Sequence, residues 1–295
     1  LGPEGRRFKS CRPDHFMKSF KIKLIKLIIF LGSKTILGRG LFRKILINII
    51  EFIIKTINFD NNKPLFITNF FDFKIYYYAD KQTGTKLYFS RNENREINFL
   101  KFNAEHNSWF IDIGSNIGLY SLNISNINSS TKKIKTLSIE PNPIIYQRLK
   151  NNFKLLAVQN KFIKNNFLIK NLAIGDNEGY GYIDKNIAHA NVKVVKTKKK
   201  NFKENFIKIR IVKLISLIKK HKIKNIFCIK IDTEGYEQII IKNFFIRKNI
   251  NFYPKYLIIE HNNDVNYFKN EKFIIKNNYK IIFTTNSNTI YKKNV

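Results

Sequence analysis

The chain has 295 residues, 44% of them hydrophobic with 27 Phe, and carries 54 Lys and Arg against 21 Asp and Glu. That much apolar matter supports a large α/β domain with an extension and excludes a disordered chain, while two cysteines, Cys11 and Cys228, exclude a disulfide framework or a cysteine metal cluster. The formal net charge of +33 would attract phosphate-bearing partners, RNA or lipid headgroups, yet the excess of Lys, Asn, Ile, Phe and Tyr is also what AT-rich coding produces with no partner involved.

Residues 1–16 read as foreign to the rest, with a cluster of Arg, Pro and Gly ahead of the single methionine, Met17. The string RRFKSCRPDH has the look of a transfer-RNA gene end read as protein, so this stretch is expected to be a non-native leader. The upstream DNA tests that expectation. Residues 17–105 are expected to form a helical and β-hairpin extension. KSFKIKLIKLIIFLG and LFRKILINIIEFIIKTI are two Lys-studded apolar stretches, each shorter in its apolar runs than the ~18–20 residues a spanning helix needs. Their use is core packing, or contact with an anionic membrane surface from the cytoplasmic side. Next, FKIYYYAD, QTGT and KLYFS read as a hairpin.

From 106 to 295 apolar runs alternate with helical stretches. SWFIDIG, KTLSIEPNP, FLIKNLAIGD, NIFCIKID and PKYLIIEH read as strands, with helices between them and YKIIFTTNSNTIYKKN as a closing strand pair. VKVVKTKKKNFKEN, residues 192–205, reads as a basic loop. Repeated alternation predicts a doubly wound, mostly parallel seven-stranded sheet of the Rossmann-like kind. In such sheets the ligand sits beyond the carboxyl ends of the strands. Informative residues fall at those ends in succession: Asp112, Gly114, Asn116 and Gly118; then Glu140 and Asn142; then Ala173 to Asp176; then Asp232 and Glu234; then Glu260 and His261.

A dinucleotide fold would place G-x-G-x-x-G after the first strand, but here Asn116 stands between two glycines four apart. An acid ahead of that loop would repel a pyrophosphate and suits a cationic donor. S-adenosylmethionine has a sulfonium and no phosphate, and Glu140 could accept hydrogen bonds from its ribose. FIDIGSNIGLYSL, LSIEPNP, NLAIGDNEG, IKIDTEGYE and LIIEH, in this order, resemble the FkbM-type methyltransferases over about residues 90–290. The resemblance implies a class I methyltransferase fold, S-adenosylmethionine as cofactor, and O-methylation of a sugar, surface glycan or secondary metabolite. It also implies that Asp112, Gly114, Asn116 and Gly118 shape the methionine end of the pocket. Glu140 would hold the ribose with Asn142 beside it, and residues near Ala173 would flank the adenine. One departure is Lys213-Leu214-Ile215, where the family often writes Thr-Leu-Asp, which costs a helix cap.

Methyl transfer to a hydroxyl needs an oxygen aligned with the methyl and a base to take its proton. Asp232 is the expected base, with Glu234 and His261 as further catalytic candidates. Glu234 reads equally as a first-turn acid of the helix EGYEQIII, and Glu237 as structural. Asp232, Glu234 or Glu260 could hold a divalent ion, but no spacing compels one and no metal is expected. The charge alone favours a nucleic-acid methyltransferase, and the fourth strand carries IDTE in place of the N-P-P-Y or Pro-Cys elements of base-modifying enzymes. A membrane-associated protein with a vestigial cofactor fold is the other alternative.

Overall fold

The computed structural model describes residues 13–34, 40–56, 63–78, 94–184, 206–261 and 265–294. It falls into two compact units, one of residues 1–68 and 77–90, the other of residues 69–76 and 91–295. In the first, α1 (Pro13–Lys34) and α2 (Gly40–Lys55) pack on each other. Apolar residues recur at helical spacing, so Ile25 and Ile29 of α1 and Ile47, Ile50 and Ile53 of α2 are buried. Helix α1 runs through the boundary expected at residue 16. Strands β1 (Pro64–Phe70) and β2 (Phe73–Tyr78) form a two-stranded sheet around a turn in which Phe71 takes φ 50°. FKIYYY therefore pairs with the segment before it. The hairpin expected with QTGT and KLYFS lies outside the described residues.

The second unit, which also takes in residues 69–76 of the β1–β2 pair, continues with α3 (Asn94–Asn103) and builds a seven-stranded sheet. Its core strands are β3 (Ser108–Ile113), β4 (Ile134–Ile139) and β5 (Phe167–Lys170) on one side, with β9 (Ile226–Ile231) and β10 (Tyr256–Glu260) on the other. Strands β11 (Tyr279–Thr284) and β12 (Asn288–Lys293) close the edge, in the order β11-β12-β10-β9-β3-β4-β5. Every pairing from β10 to β5 is parallel, and β12 runs antiparallel to both its neighbours. The order reverses at β3, where the chain leaves for β4 on one side and returns as β9 on the other. That switch point is where an open α/β sheet leaves a crevice.

Burial on both faces explains the sequence pattern. All six residues of IFCIKI in β9 are buried, as are Phe110 to Ile113 in β3. Helices α4 (Leu119–Asn126), α5 (Pro143–Gln159), α6 (Leu214–Lys220), α7 (Glu237–Phe244) and α8 (Val265–Lys276) follow the strands in chain order. One apolar cluster joins Ile111, Leu137, Ile229 and Leu257 of the sheet to Leu217, Ile241 and Phe244 of the helices.

The structure breaks FLIKNLAIGD, expected as one strand. After Lys170 the chain leaves the main sheet, and β6 (Ala173–Ile174) joins a separate three-stranded sheet with β7 (Gly179–Asp184) and β8 (Phe206–Val212). Asn171 sits at the break and donates its side-chain N–H to the carbonyls of Glu140 and Pro141. Strand β8 had no counterpart in the sequence reading, although FIKIRIV alternates apolar and basic residues as a half-buried strand does. The basic loop expected over 192–205 lies outside the described residues.

Candidate functional site

The carboxyl ends of β3, β4, β9 and β10 open on one cleft of about 220 Å³. Three backbone features shape it. Gly114, at φ +77°, lies so close to the end of β9 that an added Cβ would stand 1.7 Å from the Asp232 carbonyl oxygen. Only glycine permits that approach, so β3 and β9 meet backbone to backbone at the floor. The Gly114 and Ser115 N–H groups both donate to the Ile139 carbonyl, which ties the turn to β4. Asn116 then takes φ 52°, which Asn tolerates better than most side chains, and turns its own N–H toward Glu140.

Glu140 is 7% exposed and its carboxylate is held at both oxygens. One accepts from the Asn116 N–H at 2.9 Å, the other from the Asn142 N–H at 2.9 Å. Each oxygen retains a further lone pair that can accept from a ligand hydroxyl. Burial pushes this carboxyl up to about 7, against the pull of the two backbone N–H groups. Asn142 has a second duty. Its side chain caps α5 by accepting from the Ile144 and Ile145 N–H groups, with Pro143 in the first helical position.

The end of β9 carries a charged group. Lys230, 3% exposed within an otherwise apolar strand, donates to the Asp232 carboxylate at 2.6 Å and lies 4.7 Å from the centre of the Tyr120 ring. Burial alone would push the Asp232 carboxyl up, but the Lys230 charge and a hydrogen bond from Glu260 hold it below the usual carboxylate range. Glu260 goes the other way. Burial, and then the Asp232 charge beside it, push its carboxyl up to about 9, so near neutrality it keeps its proton and donates to Asp232. Among the described residues, Asp232, Glu234 and Glu260 are the set whose ligand atoms come within 4.8 Å of one another and could hold a cation.

Glu234 lines the cleft from a turn in which it takes φ 55° and Gly235 takes φ 106°. It therefore precedes the helix, and its reading as a first-turn acid of EGYEQIII does not hold. That place belongs to Glu237, the first residue of α7. Its carboxylate accepts from the Thr233 N–H and hydroxyl and from the Gly235 N–H, folding the turn back on itself.

Apolar residues complete the lining: Leu172, Ala173 and Ile174 around β6, and Ile211 from β8. No Lys or Arg lines the cleft among the described residues, although the chain carries 54 of them; Glu140, Asp232, Glu234 and Glu260 do. An apolar wall, a pinned carboxylate and an acidic lining suit S-adenosylmethionine, a cationic donor with no phosphate. A model of the methyltransferase FkbM domain matches residues 112–280, more than half of the chain. The chain belongs to the FkbM methyltransferase family. The family's methyl donor is S-adenosylmethionine.

Three solved structures similar to this FkbM-family chain illustrate the likeness. The FkbM methyltransferase of Methylobacillus flagellatus KT is 15% identical, with a TM-score of 0.43 over 85% of this chain and 60% of that one. The chain thus spans about 60% of the length of that protein. The precorrin-6y C5,15-methyltransferase of Geobacter metallireducens is 12% identical, with a TM-score of 0.40 over 70% and 90% of the two chains. The fibrillarin of Aeropyrum pernix, solved with natively bound S-adenosyl-L-methionine, is 9% identical, with a TM-score of 0.39 over 68% and 74%. No curated protein matches the chain.

Within this family member, Gly114, Asn116, Glu140, Asn142, Ala173, Asp232 and Glu234 line the cleft. Three expected residues stand behind or outside its lining. Asp112, 1% exposed, turns its carboxylate away under α4, where it accepts from the Ser121 hydroxyl at 2.6 Å while Ser138 donates to Ser121. Strand alternation dictates this: Asp112 shares a row with Ser138 and Lys230 on the face that α4 covers. Gly118, at φ 100°, starts α4, and a Cβ there would meet Leu149 of α5 at 2.7 Å. Its lack of a side chain serves helix packing. His261 falls just past β10, where its ring faces the Thr285 carbonyl at 3.1 Å and its N–H bonds Ser287. Conversely, sequence reasoning gave no part to Lys230. Its signal was a lysine inside a strand with no other polar side chain.

Proposed function

We propose that the protein is an O-methyltransferase whose acceptor is a hydroxyl of a sugar, surface glycan or secondary metabolite. The observation that carries this reading is the cleft at the switch point, in which Glu140 faces the cofactor side and Asp232 and Glu260 share a proton beside it. When bound, S-adenosylmethionine supplies an electrophilic methyl group. Glu140 holds its ribose hydroxyls, Leu172, Ile174 and Ile211 enclose its base, and the Gly114 backbone leaves room for the methionine portion.

The chain's task is then to place an oxygen and remove its proton. Asp232 accepts that proton. Its carboxylate is a weak base because Lys230 and Glu260 stabilise its charge. A weak base suffices, since an alcohol O–H becomes strongly acidic as a third bond forms to its oxygen. The Lys230 ammonium keeps Asp232 ionised and oriented between turnovers. Glu234 and Glu260 provide further acceptors for neighbouring hydroxyls of a polyol.

Transfer of a labelled methyl group tests the reading. Incubation with S-adenosyl-[methyl-³H]methionine should label a cell-envelope glycan fraction and leave total RNA unlabelled. Label confined to RNA overturns the acceptor class, and absence of cofactor binding at millimolar ligand in calorimetry overturns the enzymatic reading altogether.

A further inference from the structure

The first unit carries apolar surface that its own packing does not use. In α1 the buried stripe is Ile25 and Ile29, yet Met17, Phe20 and Leu27 recur at intervals of three and seven on another face and are each more than half exposed. In α2 the buried stripe is Ile47, Ile50 and Ile53, while Ile45, Ile49 and Phe52 lie at i, i+4 and i+7 on the outer side, Phe52 at 70% exposure. A helix that only packs into a core has one apolar stripe, with polar residues opposite. Here both helices have two. Apolar side chains of this size in such a series cost free energy in water and mark an interaction surface.

The charge decides the occupant. Residues 17–55 hold nine Lys and Arg and one acid, Glu51. Exposed Lys23 lies on the same side of α1 as Phe20 and Leu27, and Lys55 follows Phe52 by one turn of α2. A second copy of so basic a segment would be repelled, and nucleic acid offers no hydrocarbon for Phe20, Leu27, Ile49 and Phe52. An anionic lipid surface offers both. Phosphate-bearing headgroups meet the ammonium groups, and the acyl boundary receives the rings and branched chains, with lysine stems lying along it. No described helix is long and apolar enough to cross a membrane, so the fit is to a helix lying in the interface plane.

We propose that α1 and α2 form a docking surface for an anionic membrane, binding through the outer stripes Phe20/Leu27 and Ile49/Phe52 and the lysines beside them. The proposal is independent of the acceptor. Flotation of the full chain with vesicles tests it, one set of phosphatidylcholine alone and one with about a third phosphatidylglycerol, each at low and high salt. The expected result is binding to the anionic vesicles only, weakened by salt. Phe20→Ser/Leu27→Ser and Ile49→Ser/Phe52→Ser should each lower partitioning by about tenfold or more, and Lys23→Glu/Lys55→Glu should weaken it and flatten its salt dependence.

These side chains are exposed, so their replacement leaves no cavity, and an unchanged helical circular-dichroism spectrum verifies that each variant is folded. Failure of the unaltered chain to float with anionic vesicles overturns the proposal. So does serine-variant binding equal to that of the unaltered chain. Concentration-dependent dimers in light scattering that the serine variants abolish, without vesicle binding, would assign the surface to a second copy. Retention of RNA that depends on the same residues would assign it to nucleic acid.

Discussion

Glu140 combines two requirements that pull against each other. In its proposed role of accepting from ribose hydroxyls it must be ionised, yet its burial raises its pKa to about 7. The Asn116 and Asn142 N–H groups offset part of that penalty and fix the carboxylate plane in advance. Hydroxyl donors arriving with the cofactor favour the charged form further, so binding should release a proton wherever Glu140 is protonated in the free protein. S-adenosylmethionine affinity should therefore climb with pH below about 7, approaching tenfold per unit at the acidic end, and level off above it. Calorimetry between pH 5.5 and 8 measures this. Glu140→Gln should bind about tenfold or more weakly and lose the slope, since an amide neither ionises nor accepts at both positions. A slope that persists in the variant would place the titrating group elsewhere. Asp232 makes a different prediction because it lines the cleft as the proposed proton acceptor. Asp232→Asn removes the proton acceptor and leaves Lys230 buried without its counter-charge, so turnover should fall by at least about a hundredfold. Cofactor affinity should stay within a few-fold, and calorimetry beside a single-turnover assay separates the two.

Helix and strand ends show what is legible in a sequence and what is not. SWFIDI, IFCIKI and YLIIE announce buried strands because runs of Ile and Phe flanked by polar residues have no other stable use, and the acids that follow them locate the cleft. Whether a side chain faces that cleft is a matter of alternation and turn geometry. Asp112 and Gly114 are two residues apart, yet one lies under α4 and the other against Asp232. The break at Asn171 was hidden for a related reason. NLAI is as apolar as a continuing strand, and only the side-chain bonds of Asn171 to Glu140 and Pro141 mark the departure. Capping follows from residue types only once the helix ends are known. Lys213 occupies the N-cap of α6 with extended backbone and no side-chain bond to the helix, whereas Asn142 caps α5 with two. Lys213→Asp supplies an acceptor where the backbone already has the right conformation, and should raise stability by about 1 kcal/mol. Chemical denaturation reads this directly, as a higher midpoint with an unchanged slope.

At the scale of the whole chain, a net charge of +33 coexists with a cleft lined by carboxylates, and the two features act oppositely on pH dependence. Glu260 and Glu140 keep protons in the folded state, up to about 9 and about 7, that an unfolded chain would release near the ordinary value of 4.5. Between those limits the unfolded state binds fewer protons than the native one, so stability falls as pH rises. Asp232 contributes with the opposite sign, but its lowered pKa confines the loss to pH below the ordinary carboxylate value of 3.8. Toward acid pH the net positive charge grows and self-repulsion opposes folding. The melting temperature should consequently peak near pH 5 and decline toward pH 9, a more acidic optimum than most carboxylates would give. Glu260→Gln isolates the cause. An amide retains a donor for Asp232 and has no proton to lose, so the variant should flatten the decline between pH 7 and 9 and leave the acid limb unchanged. Added salt should raise the melting temperature most at low pH, where repulsion dominates. Scanning calorimetry from pH 4 to 9, with and without salt, separates the buried carboxyls from the surface charge. A decline that survives in Glu260→Gln would assign it to another buried acid, such as the Cys228 thiol that burial pushes up, and leave the proton shared between Asp232 and Glu260 without thermodynamic support.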